Sequence, residues 1–546
     1  MTANLNLDEK QGWVLGKVLA DQARRRKDAP FLQYEDGPEI SYSEAYESIC
    51  RVAGGMADFG VSKGDRVLIM MRNSLEIVYA WFAANLLGAV QVPVNTAYKG
   101  IFLEHTVNNC GAKIMVVQRN FLDRLKTSEA SFDHLEKIVV WTKPGDEDVP
   151  MPEFTKVEVF DFNDFYAYPS DPPECDVNYR DLAAILYTSG TTGPSKGVLM
   201  PHAHLFLYSD IAVKGMKITP DDIYYICLPI FHANAQFLQI YPVLIAGAKA
   251  VIYDSFRASK WLEHARKHGI TMTSILAAMG EFIWKQPTRP EDRDNPLRVV
   301  ICIPLTGASE MAFEERFGVK CISAYGMTEI ATPLFHPYDE PPRPGSCGKV
   351  LSDWFEVKIV DPETDEELPP GQLGEIVMRH KYPWTINIGY HNMPEKTLEA
   401  WRNLWFHTGD AGKYDEDGYF YFVDRLKDYI RHKGENISSF EIEGVVNLHP
   451  SVHESAAVGI RLKDRGGEDE VKICVVLKPG ETLSPENLLD YCQERMPYFA
   501  VPQYVEFINE LPKTQTEKVQ KHKLREAGIT TDTWDREKAN YQVKKG

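Results

Sequence analysis

From residue 41 to residue 141 the chain alternates between two textures, and this alternation limits its fold more than any other feature. The stretch "SYSEAYESICRVAGGMADFG" (41–60) opens on a serine and spaces its apolar residues as a helix does. "GDRVLIMMRN" (64–73) then reads as a buried strand, and "SLEIVYAWFAANLLGAV" (74–90) as a helix that runs into the strand "VQVPVN" (90–95). The pattern continues through the strands "AKIMVVQ" (112–118) and "KIVVW" (137–141). Strands that alternate with helices in this way pair in parallel and are covered by those helices, so the fold class is α/β with mostly parallel sheets.

At 546 residues the chain exceeds one ordinary core, and two or more domains are expected. With 44% hydrophobic and 25% charged residues the composition is that of a soluble globular protein. The net charge of −18 argues against nucleic acid or an anionic membrane as the main partner. No apolar run nears the ~20 residues that span a bilayer, and the start "MTANLNLDEKQGW" carries no signal or transit pattern. Nine scattered cysteines without a C-x-x-C pair suggest reduced thiols in a cytoplasmic protein.

Near residue 425 the texture changes. The basic stretch "DRLKDYIRHKGENIS" (424–438) leads from the strand "YFYFV" into a compact pattern. That pattern is helix "SFEIEGVVNLH", strands "ESAAVGI" and "EVKICVVL", helix "SPENLLDYCQERM" and strand "YVEFI". Ser484 is placed to cap its helix, with Pro485 at the first helical position. A large N-terminal domain over 1–426 and a small α+β domain over 427–546 are therefore expected, the latter closing on a short charged tail after residue 525.

Between the proline-rich connection "YAYPSDPPECD" (166–176) and the middle of the chain lies "YTSGTTGPSKGV" (187–198), which leaves the end of the strand "DLAAILY". A glycine-rich turn at a strand end presents several backbone N–H groups to one anion, and phosphate is the usual guest. The loop is not a Walker A motif, because Ser195 stands at the second glycine position and Gly197 follows Lys196. Nor is it a dinucleotide fingerprint, since no two of its glycines are spaced by one residue. It is a phosphate loop of a third kind.

That loop resembles the phosphate loop of the adenylate-forming superfamily, which holds acyl-CoA synthetases, peptide-synthetase adenylation domains and beetle luciferases. Six further motifs follow in the family's order: "LPIFHANAQ" (228–236), "YGMTE" (325–329), "RPGSCGKV" (343–350), "WFHTGD" (405–410), "DRLKDYIRHKGENIS" and "LPKTQTEKVQKHKLR" (511–525). Within the family the chain looks most like the carnitine/crotonobetaine-CoA ligases. The resemblance implies stacked α/β subdomains and a small mobile C-terminal domain. It also implies a two-step reaction: a carboxylate attacks the α-phosphate of Mg-ATP and releases pyrophosphate, and a thiol, usually that of coenzyme A, then takes the acyl group.

The same resemblance assigns roles by position. Thr188, Ser189, Gly190, Thr191, Thr192, Gly193 and Lys196 would hold the β- and γ-phosphates, with Thr188 also near the metal. Gly307, Ala308, Ala324, Tyr325, Gly326 and Met327 would surround adenine, with Tyr325 stacked on it. Thr328 would contact the α-phosphate, and Glu329 would bind Mg²⁺, a hard oxygen for a hard cation. Asp410 would accept both ribose hydroxyls, supported by Arg425. Lys518 would bridge the two reacting anions, although Glu517 stands where the family commonly has glycine. Lys427 occupies the hinge position, Gly434 and Glu435 the pantetheine path, and Lys433 the place of a lysine used in the second half-reaction. His232 would gate the thiol tunnel.

His232, Ala235, Gln236, Ala278, Met279, Gly307 and Gly326 are expected to line the acyl pocket; small and pliable side chains there favour a bulky or apolar acid. A quaternary-ammonium acid would need an aromatic or acidic wall, for which Tyr241 and Glu281 are the candidates. Two other patterns are set aside. "HARKH" (264–268) lacks the glutamate of a zinc helix and reads as charged surface, and "GASEM" (307–311) lacks the closing glycine of a nucleophile elbow. The expected enzyme is an AMP-forming acid–thiol ligase, a monomer or homodimer, with CoA as acceptor. The alternatives are delivery of the adenylate to a carrier protein or partner enzyme, and a non-catalytic binder of nucleotide or acyl ligand.

Overall fold

The computed structural model describes residues 6–543 apart from 189–194, 304–306, 427, 429, 433–434, 462–468, 497, 499 and 515–517. These residues form two compact units. The first comprises 1–356 and 379–404; the second comprises 357–378 and 405–546. The expected junction at Lys427 falls inside the second unit and outside the described residues.

The first unit is built on two seven-stranded sheets. One runs in the order Glu158–Asp161, Lys137–Trp141, Ile114–Gln118, Arg66–Met70, Val90–Pro93, Leu182–Thr188, Lys196–Pro201, parallel except for its last pair. The other runs Lys320–Ile322, Val299–Ile303, Met272–Leu276, Ile223–Ile226, Lys249–Ile252, Pro30–Tyr34, Glu39–Ser41, again with one antiparallel pair at the end. Both central strands of the first sheet, Arg66–Met70 and Val90–Pro93, bury side chains on both faces, which is why they are apolar on both parities apart from Arg66 and Gln91. The helix Tyr42–Asp58 begins where the serine predicted it. Ser41 accepts from Glu44 N while the Glu44 carboxylate accepts from Ser41 N, a reciprocal cap.

The second unit contains the antiparallel strands Gly374–His380, Phe406–Tyr414 and Tyr419–Arg425, and a four-stranded sheet. The latter orders Val452–Arg461, Asp469–Leu477, Tyr504–Phe507 and Trp534–Asp535. Along Asp469–Leu477 the side chains divide by parity. Val471, Ile473 and Val475 pack with Leu488 and Leu489 of the helix Pro485–Gln493, whereas Cys474 and Val476 pack with Leu511 and Leu524. Both faces are covered, so from Val471 to Leu477 this strand is apolar at every position but one. Lys472 is the exception, and it is almost wholly buried: its ammonium meets Glu506 at 2.5 Å and donates to the Gly528 carbonyl at 2.6 Å.

That contact shows that the short charged tail beyond residue 525 is packed onto the sheet. The segment folds back as the strand Trp534–Asp535, antiparallel to Tyr504–Phe507, and Tyr541 donates to Asp490 at 2.6 Å. Charge along a sequence shows how well it is solvated, but not whether its backbone completes a sheet edge. Among the described residues no helix is long and apolar enough to cross a membrane.

Candidate active site

In the first unit the phosphate loop is the connection of a hairpin. Tyr187 pairs with Gly197 and Thr188 with Lys196, so the loop's two ends are adjacent antiparallel positions. Ser189, Gly190, Thr191, Thr192 and Gly193 lie outside the described residues. Thr188 Oγ1 donates to the Lys196 carbonyl at 3.4 Å. The Lys196 ammonium sits over the ring of Tyr390, 4.4 Å from its centroid.

The motif around Glu329 is a second hairpin, with Ala324–Met327 antiparallel to Ala331–Phe335 and Thr328–Ile330 at the turn. Ala331 takes the left-handed conformation at φ 58°. A Cβ on Gly326 would collide with the Ala331 carbonyl oxygen and lie 3.0 Å from Thr332 Cα, so close backbone approach requires glycine there. Tyr325 is buried beside Ala324, and Thr328 is half-buried.

Glu329 is 5% exposed. Its Oε1 accepts from Tyr390 Oη at 3.1 Å, while the Asn387 backbone N–H and side-chain amide both donate to the Glu329 carbonyl, at 3.0 and 2.8 Å. Among the described residues no lysine, arginine or histidine forms an ion pair with this carboxylate. A buried carboxylate held by one phenol is costly unless a cation shares it, and two hard oxygens suit a divalent ion.

The segment 387–391 is stitched between the two hairpins. Leu199 N donates to the Gly389 carbonyl at 3.0 Å and His391 N to that of Gly197 at 2.7 Å. Reading along the sequence passes over Tyr390, because this pairing joins positions nearly two hundred residues apart; the "GY" at 389–390 is the one local mark.

Of the expected acyl-pocket residues, Ala235 and Gln236 lie on the π-helix Asn234–Ile240. Ala235 is buried, and Gln236 is closed into a reciprocal amide pair with Gln91. His232 is partly exposed, its ring 4.4 Å from that of Phe231. The turn before it is held by Asn73, which donates to the carbonyls of Leu228 and Tyr253, each at 2.9 Å, and accepts from Ile230 N at 2.8 Å. Met279 is buried on the helix Ala277–Trp284, and Gly307 and Ala308 begin the helix Gly307–Phe317; the side chains of Ala278, Glu281 and Ala308 are not among those described. Tyr241 lies wholly buried in helix packing, edge-on to Phe206 at 6.5 Å. The "HARKH" histidines are likewise not bare surface: His264 bonds the Tyr225 hydroxyl at 3.0 Å and His268 that of Tyr253 at 2.9 Å.

In the second unit Asp410 and Arg425 are cross-strand partners, joined by an ion pair at 2.9 Å. Asp410 is 2% exposed, and its backbone N–H donates to Thr408 Oγ1 at 3.1 Å. Lys518 is exposed; its N–H donates to Thr514 Oγ1 at 3.2 Å and its carbonyl accepts from Thr514 N at 2.7 Å. Lys521 is committed elsewhere, to Glu443 at 2.8 Å and to the Ser439 hydroxyl. Glu435 lies on the short strand Glu435–Ile437, its side chain not among those described, and Lys427, Lys433, Gly434 and Glu517 are outside the described residues.

Known proteins are similar to this chain in sequence and in fold. The sequence matches AMP-binding enzymes over residues 19–390 and the AMP-binding enzyme C-terminal domain over 441–518. The crotonobetaine/carnitine–CoA ligase of Salmonella paratyphi B is 32% identical over 495 residues, which cover 89% of this chain and 93% of that protein. ATP-bound MatB of Rhodopseudomonas palustris superposes with a TM-score of 0.82 at 29% identity, covering 94% of this chain and 98% of that one. The O-succinylbenzoate coenzyme A synthetase MenE of Bacillus subtilis, in complex with ATP and magnesium, does so with 0.78 at 25% identity, covering 93% and 99%. With the phosphate hairpin and the Glu329 turn both within residues 19–390, the chain belongs to the family of AMP-binding enzymes.

Proposed function

We propose that this chain activates a carboxylic acid with MgATP, releasing pyrophosphate, and transfers the acyl group from the resulting adenylate to coenzyme A. The buried Glu329 carboxylate, engaged by a single phenol and by no cationic side chain among the described residues, carries this reading. It fits the magnesium of MgATP as substrate. Thr188 and Lys196, at the two ends of the phosphate hairpin, would take phosphate oxygens. Tyr325 and Thr328 would face adenine and the α-phosphate. Asp410, held by Arg425, would take the ribose hydroxyls. Lys518 would offset the repulsion between carboxylate and α-phosphate; its exposure supports that choice over the half-buried Lys521.

We assign the remaining roles on the same reading: Lys427 as hinge of a lid over 427–546, Lys433, Gly434 and Glu435 to the thioester step, and His232 to the gate. Coenzyme A is preferred as acceptor over a carrier protein or partner enzyme because the similar proteins above are named CoA ligases. A bulky or apolar acid is preferred because Ala235 and Met279 are small or pliable and Tyr241 is spent in helix packing.

ATP–pyrophosphate exchange with Mg²⁺ across a panel of carboxylic acids, with and without CoA, tests the reading. Exchange with one acid, and its thioester when CoA is added, is expected. Exchange without thioester would move the acceptor to a carrier or partner, and ATP binding without exchange for any acid would leave a nucleotide binder.

A further inference from the structure

Tyr390 touches two charged side chains with two different parts of one ring. Its hydroxyl donates to Glu329 Oε1 at 3.1 Å, and the face of its ring lies 4.4 Å from the Lys196 ammonium. The tyrosine is itself buried, 6% exposed. Its backbone is fixed on both sides, since the Gly389 carbonyl accepts from Leu199 N and His391 N donates to the Gly197 carbonyl. Tyr390 N adds a bond to Thr397 Oγ1 at 2.9 Å. The backbone that carries the ring is therefore tied to the strand that leaves the phosphate loop, and burial confines the ring itself.

We propose that Tyr390 is a positioning residue for the nucleotide, a crosspiece that sets the metal-binding carboxylate and the phosphate-binding lysine relative to each other. The inference rests on the nucleotide reading above. The phenol engages one oxygen of Glu329 and leaves the other for the magnesium of MgATP; a carboxylate so restrained loses less rotamer freedom when the ion binds. The ring face meanwhile contacts the Lys196 ammonium, a cation–π contact that leaves the lysine its charge. The two functions reside in different atoms, so they can be separated.

Calorimetric titration of ATP into the full-length protein, with Mg²⁺ and again with EDTA, separates them. Wild type is expected to bind ATP more tightly with Mg²⁺. Tyr390→Phe keeps the ring and is expected to retain the EDTA affinity while losing roughly tenfold of the Mg²⁺ enhancement, the size of a hydrogen bond to a charged group. Tyr390→Leu is expected to lose affinity under both conditions. In exchange assays, raising Mg²⁺ is expected to restore Tyr390→Phe, which general damage to the fold would not allow.

If Tyr390→Phe keeps the wild-type Mg²⁺ enhancement, or loses affinity equally with and without Mg²⁺, the proposal is overturned. Glu329→Gln separates that failure from a deeper one. Loss of the enhancement in Glu329→Gln but not in Tyr390→Phe rejects only the tyrosine. An unchanged enhancement in Glu329→Gln rejects the metal reading of the site, and the crosspiece with it.

Discussion

Gln91 and Gln236 bond each other twice, Gln91 Nε2 donating to Gln236 Oε1 at 2.8 Å and Gln236 Nε2 donating back to Gln91 Oε1 at 3.2 Å. One amide stands on the strand Val90–Pro93 and the other on the π-helix Asn234–Ile240, so the pair ties one sheet layer to the elements beside the other. Both side chains are buried. Replacing only one leaves a buried amide unsatisfied, at a cost of about 1–3 kcal/mol. We expect Gln236→Leu and Gln91→Leu each to lower the melting temperature, and the double variant to lower it by less than the sum. Additive effects in that double-mutant cycle would show that the amides act independently.

Acid stability should depend on the helix His202–Met216. Both rings of His202 and His204 are buried without a hydrogen-bond partner among the described residues. Burial holds the pKa of His202 down to about 4 and that of His204 to about 3. The fold keeps these rings neutral, whereas the unfolded chain protonates them near the ordinary value of 6.5. Their contribution is therefore complete above pH 6.5 and is lost as pH falls through 6.5 towards 4 and then 3, by roughly 3 kcal/mol for His202. Melting temperatures between pH 7.5 and 4.5 should fall less steeply for His204→Leu than for wild type. Parallel curves would contradict the assignment.

Glu310 works in the opposite direction. It lies buried on the helix Gly307–Phe317, where Ser323, just before the Ala324–Met327 strand, donates its hydroxyl to it. Burial above all, with Glu314 adding repulsion, raises its carboxyl to about 7. Between pH 4.5 and 7 the unfolded chain gives up this proton while the folded chain keeps it, so stability falls as pH rises, by roughly 3 kcal/mol in all. Glu310→Gln can still accept from Ser323 and has no proton to lose. Relative to wild type it should gain stability progressively from pH 5 to pH 8, as read by urea unfolding at both values. A gain of the same size at pH 5 would point to packing instead.

How much of this was legible in the sequence depends on how far each interaction reaches along the chain. Ser41 and Ser484 declare their helices because a cap is settled within three residues. The parallel sheets are visible because strands covered on both faces are apolar on both parities. Glu329 and Asp410 stand out only through the motifs around them; taken singly, each would read as a solvent-facing acid. Asn73 and the Gln91–Gln236 pair leave no local signal, and Tyr390 only the "GY" it shares with Gly389, since each acts on partners that only the folded sheet brings within reach. The strand Trp534–Asp535 was hidden for a related reason: its two residues follow a polar run, and the edge they pair with belongs to Tyr504–Phe507. Buried Lys472 was hidden inside an apolar strand because its counter-charge, Glu506, lies on the neighbouring strand.

The same separation by contact distinguishes the lysines of "TEKVQKHKLR". Lys521 is half-buried between Glu443 and Ser439, and Ser439 in turn bonds the buried Asp424. Removing the Lys521 ammonium leaves Glu443 buried and uncompensated, a cost of about 3–5 kcal/mol where a buried pair is broken. Lys518 is exposed and its backbone bonds Thr514, so shortening its side chain uncovers no core. Lys518→Ala should therefore abolish ATP–pyrophosphate exchange while leaving ATP affinity and melting temperature near those of wild type. Lys521→Ala should lower the melting temperature of the second unit clearly, and its exchange rate at low temperature should remain measurable. Exchange that survives in Lys518→Ala but is lost in a folded Lys521→Ala would transfer the adenylation role from one lysine to the other.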